Sequence, residues 1–155
     1  TGWKKSAPPP VELDMIQNRL QDLLVDLVAL SLDGKQLHWH VTGPLFKPVH
    51  EQLDEVVTFA RTAYDAVAER AVALGHPVDA RPTTVAKESR LPEAPDGWID
   101  AADAVRRYVA AIDAAVATGR RAIADLDDEP VTQDLVIGVV AELEKQRWLL
   151  DAQLR

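Results

Sequence analysis

Apolar residues recur along most of this chain at the three- and four-residue steps of an α-helix. Leu13, Ile16, Leu20, Leu23, Leu27 and Leu30 form a first stripe after the prolines at 8–10. It predicts an amphipathic helix to about residue 40, tolerating Gly34 at some cost. "TGPLFKP" reads as a turn, with Pro48 suited to the first turn of a second helix. That helix carries Leu53, Val57, Ala60, Tyr64, Val67, Ala71 and Leu74 on one face and ends at Gly75, a natural C-terminal cap. Pro77, Pro82, Pro92 and Pro95 then punctuate a long connection that holds one short helix around "TTVAKES". A third long helix follows over about 100–126, with Val105, Tyr108, Ile112, Val116 and Ile123 as its stripe. "DDEP" breaks it, and a fourth runs from about 131 through Leu135, Val139, Leu143 and Trp148.

The connections are short, long, short. Tight turns join antiparallel neighbours, while the long middle one lets helices two and three run parallel. This predicts an all-α, ferritin-like four-helix bundle, with a crossover between helices two and three that carries a short helix. Residues 1–10 read as an N-terminal arm and 11–155 as one bundle domain. No strand-like alternation of useful length interrupts the pattern.

Composition narrows the chemistry. The chain has 155 residues, 47% of them hydrophobic and 27% charged, and no cysteine, which excludes thiolate zinc sites and iron–sulfur clusters. No run of about 18 apolar residues spans a membrane, and "TGWKKSAPPP" lacks the apolar stretch of a secretory signal, so a cytoplasmic location is expected. The net charge of −8 favours cations over nucleic acid as partners.

Three of the four histidines fall within "HWHVTGPLFKPVHEQLD", followed by an aspartate one helical turn after the last. On helix two, His50, Asp54, Asp65 and Glu69 lie near about 0°, 40°, 60° and 100°, one face turned away from the core stripe. His50 with Asp54 and Asp65 with Glu69 each have the spacing that brings side chains together. The two pairs are separated by roughly 16 Å of rise, too far for one ion. Both 50/69 and 54/65 are centred between Phe59 and Ala60. Two copies of the helix crossing antiparallel there would set each pair against its complement, giving two equivalent inter-subunit metal sites. The alternative is a solvated outer face.

The contiguous stretches "LHWHVTGPLFKPVHEQLD" and "YDAVAERAVALG" resemble the Dps family, DNA-binding proteins from starved cells, over nearly the whole chain. His38–Trp39, Gly43 to Phe46, His50–Glu51 with Asp54, and Asp65 with Glu69–Arg70 carry the resemblance. It implies a hollow homododecamer acting as a ferroxidase on Fe2+ with hydrogen peroxide or oxygen, storing ferric iron and protecting against oxidative damage. By position, the implied ligands are His38, His50 and Asp54 from one subunit and Asp65 and Glu69 from its two-fold partner. Imidazole with hard carboxylates suits iron in both oxidation states.

Further roles follow by position. Trp39 would lie beside the iron site, with core packing as the alternative. Glu51 and Glu55 would nucleate mineral, or form a solvated face. Asp125, Asp128 and Asp134 would line an iron-entry pore, although Asp134 could instead favour a helix N-terminus. His40 and His76 read as surface or packing histidines. Lys4 and Lys5 are the weak candidates for DNA contact, set against about −96 for twelve chains. DNA binding is therefore expected to be weak or absent. A nucleoid-associated shell that binds DNA through its arm, with a mainly structural metal site, is the alternative reading. "HEQLD" also resembles a zinc-protease helix, but no third ligand or substrate cleft accompanies it.

Overall fold

The computed structural model describes residues 10–155, with side chains from residue 13. Their helices are α1 (Pro10–His40), α2 (Phe46–Ala73), α3 (Pro82–Glu88), α4 (Ala101–Asp125) and α5 (Pro130–Asp151), the last ending in a 3-10 turn over Ala152–Leu154. The expected third and fourth long helices are α4 and α5. The arm with Lys4 and Lys5 lies outside the described residues.

Contacts at the helix ends fix the directions. Val41–Thr42 (β1), just after α1, pairs in parallel with Ile99–Asp100 (β2), just before α4. The end of α1 therefore sits beside the start of α4. At the opposite pole, Arg19 near the start of α1 binds Asp125 at the end of α4 (2.6 Å), and Arg70 near the end of α2 binds Glu129 before α5 (3.2 Å). Hence α2 and α4 run parallel, joined by the crossover that carries α3, as expected of a ferritin-like bundle. The two-residue bridge is too short to leave an alternating pattern in the sequence.

Local chemistry explains the boundaries. α2 starts at Phe46, two residues earlier than expected; Pro48 still falls in the first turn, where its missing N–H has no intrahelical role. At the other end, Gly75 has φ +89°, its N–H donates to the Val72 carbonyl, and the His76 N–H donates to the Ala71 carbonyl (each 2.9 Å). This paired closure satisfies two orphan carbonyls and needs the left-handed conformation that glycine adopts freely.

Leu20, Leu23, Leu27, Leu30, Leu53, Val57, Ala60, Tyr108, Ile112, Leu143 and Leu150 are buried at the centre of the bundle. A Cβ at Gly34 would lie 2.4 Å from the Tyr108 hydroxyl and 2.5 Å from Val57, so this glycine allows close packing of helices. Asp26 is fully buried, accepting from the Thr118 hydroxyl (2.6 Å) and the Arg90 N–H (3.0 Å), which ties the crossover to α1 and α4. Trp148 corrects the sequence reading: it is 63% exposed rather than core. It follows Leu143 by five residues, about 140° around the helix, whereas Gln146 and Leu150 continue the buried stripe.

Candidate metal centre

Two imidazoles meet across the α1–α2 turn. His38 comes from the last turns of α1 and His50 from the start of α2. Their rings stack with centroids 3.7 Å apart and an 11° interplanar angle. His38 Nδ1 lies 2.6 Å from the His50 carbonyl, and His50 Nδ1 lies 2.7 Å from the His38 carbonyl. A carbonyl only accepts, so both Nδ1 atoms carry the proton and donate it. Nε2 is then the atom each ring has left to offer a metal, with the ring oriented by a backbone carbonyl where a carboxylate often does so. An imidazole binds a metal in its ring plane, and these two planes are nearly parallel.

Asp54 stands one turn after His50 and pairs with the Lys35 ammonium from α1. The hydrogen bond from Lys35 holds its carboxyl below the ordinary carboxylate range, against a smaller opposing effect of burial. The positive charges of Lys35 and Arg61 act in the same direction as that hydrogen bond. His38, His50, Glu51, Asp54, Glu55 and Thr58 line one open cleft of about 540 Å³. Glu51 and Glu55 thus share the cleft of the imidazoles; Lys47 approaches Glu51 only to 3.9 Å, with both side chains well exposed.

Asp65 and Glu69 are exposed farther along α2 and are not brought to this cleft within the chain. Among the described residues no three His, Asp or Glu side chains gather as a metal cluster. The chain therefore presents two imidazoles with a lysine-paired carboxylate at one end of the stripe, and two open carboxylates at the other.

The remaining candidates divide. Trp39 is 61% exposed and does not pack in the core of the chain; it lines a separate groove with Lys35, Arg61, Glu93 and Asp96. Asp128 and Asp134 are exposed, while Asp125 is engaged by Arg19. Asp134 lies beyond the first turn of α5, which carries no acidic residue, and the N-cap is not Asp134. Glu129 takes that role, accepting from the Thr132 N–H at 2.8 Å. His40 donates from Nδ1 to the Gln36 carbonyl (2.7 Å) and meets the edge of Trp98; His76 is half-buried. Two contributors were missed by the sequence reading. Lys35 lies one turn before His38, and Phe46, one turn before His50, stacks on that ring at 5.0 Å. Both spacings were visible in the sequence.

Comparison with known proteins agrees with this architecture. The ferritin-like domain family matches residues 17–155. The chain is 33% identical to DNA protection during starvation protein 2 of Deinococcus radiodurans, covering 88% of this chain and 57% of that protein's length. It is 34% identical to the DNA protection during starvation protein of Mycolicibacterium smegmatis, over 90% of this chain and 76% of the relative. Among solved structures it is similar to Dps from Microbacterium arborescens in the high iron form, with 36% identity and a TM-score of 0.90. That match covers 96% of this chain and 97% of the other.

Proposed function

This chain belongs to the Dps family of ferritin-like proteins, and from that premise we propose that it oxidises and stores iron within a homododecameric shell. The observation that carries this reading is the reciprocal His38–His50 clamp, which ties both Nδ1 atoms to the backbone and sets both imidazoles in a cleft shared with Asp54. Fe2+ is the substrate. Asp65 and Glu69 of the partner subunit complete the ligand set when two α2 helices cross antiparallel near Phe59 and Ala60. Carboxylates favour the ferric product, and imidazoles suit the ferrous substrate.

Two imidazoles with several carboxylates offer enough ligands for a pair of iron ions. Two ferrous ions supply the two electrons that reduce one hydrogen peroxide to water, so no hydroxyl radical is released. Hydrolysis of the ferric product then liberates protons and yields oxyhydroxide mineral, for which Glu51 and Glu55 offer carboxylates at the cleft. Asp128 and Asp134, both exposed, are the better entry carboxylates; Asp125 has a cation already. Protection of DNA then comes from removing ferrous iron and peroxide. The acidic chain disfavours coating the duplex, and gel shifts at physiological salt should show little retention.

The test is to load metal-free protein with Fe2+ anaerobically and add limiting peroxide. Two irons oxidised per peroxide, without spin-trapped radical, supports the reading. One iron per peroxide with radical release rejects it.

A further inference from the structure

We infer that Phe46 is a positioning residue for the metal-binding imidazoles, an inference that rests on the ferroxidase reading of the cleft. Phe46 opens α2, with its N–H donating to the Gly43 carbonyl at 3.0 Å. Its phenyl ring lies 5.0 Å from the His50 ring at an interplanar angle of 26°. His50 in turn lies 3.7 Å from His38 at 11°. The three rings therefore form one continuous stack, Phe46 on His50 on His38.

The spacing makes the contact specific. Residues four apart on a helix meet on one face, so the first residue of α2 is the one that can cover His50 from its N-terminal side. The single polar tie on His50 is the Nδ1–H bond to the His38 carbonyl, which fixes one atom but leaves the ring free to swing about it. Clamping between two rings removes that swing and keeps water from one face. Phe46 is 42% exposed, so its role is not that of a bundle-core residue. It has no charge and no donor atom, so it acts on the metal only through the pose of His50.

Supports that orient ligands typically change metal affinity about 10- to 100-fold. The experiment compares full-chain F46A, F46L and F46Y with the native protein. Co(II) is titrated by its visible d–d absorption, ferrous oxidation is measured as a function of iron concentration, and assembly is measured by light scattering. F46A and F46L should weaken Co(II) binding about tenfold or more and raise the half-saturating iron concentration, with the maximal rate changed less than about threefold. F46Y, which keeps the ring, should stay near the native value. F46L retains apolar bulk, so it separates ring stacking from subunit packing if F46A fails to assemble. Assembled F46L that binds Co(II) as tightly as the native protein would overturn the inference and leave Phe46 a packing residue only. If the native protein itself gave no histidine-type Co(II) spectrum, the ferroxidase reading would fall first.

Discussion

Lys35 of α1 and Asp54 of α2 form an ion pair at the edge of the imidazole cleft, so a fixed cation sits on a carboxylate that the proposed site uses. Incoming iron has to displace or share that carboxylate. Lys35→Met should therefore tighten Co(II) binding about thirtyfold, the effect of removing about 2 kcal/mol of repulsion between a single and a double charge near 4 Å in water. The stability cost should stay below about 1 kcal/mol, because both partners are partly solvated. Weaker metal binding in this variant would show instead that Lys35 holds Asp54 in its binding pose.

A second carboxyl gives a pH signature. Burial pushes Asp33 up from 3.8 to about 6, opposed by the Ala94 amide and reinforced by Glu93. Its folded form binds a proton more tightly than its unfolded form. The associated stability is fully present below about pH 4 and is lost as pH rises through about 6. Asp33→Asn should abolish this slope and stabilise the protein at pH 7 relative to pH 4, by about 1–2 kcal/mol once solvent screening of this half-exposed group is allowed for. Urea midpoints at the two pH values check it; parallel curves for native and variant protein would reject it.

The shared helix face of the proposed ligands was legible because it obeys local rules. His50, Asp54, Asp65 and Glu69 announce themselves by helical angle, and Gly75 by its place after an apolar stripe. Partners distant in sequence were not legible. Nothing near Asp125 signals that Arg19 occupies it, and nothing in the sequence specifies that His38 and His50 exchange backbone hydrogen bonds. Trp148 departs from the apolar run it extends because five residues after Leu143 carry it about 140° around α5. Gly34 looked like a tolerated defect until the Tyr108 hydroxyl was seen against it.

That glycine gives a stability test close to the site, one turn before His38. Gly34→Ala places a methyl where no space exists, against Tyr108 and Val57. Despite alanine's better helix propensity, the variant should lose about 1–3 kcal/mol. Chemical denaturation measures this, and a more stable variant would mean that α1 and α4 separate without cost.

The central claim is that each iron site is built from two chains, and subunit complementation tests it most directly. One variant carries His50→Ala and the other Asp65→Ala with Glu69→Ala; each alone should lack fast ferrous oxidation. Co-assembled in equal amounts, half of the dimers become mixed, and each mixed dimer regains one of its two sites. The mixture should recover about a quarter of native activity. No recovery from a mixture shown to contain mixed dimers would contradict the shared site.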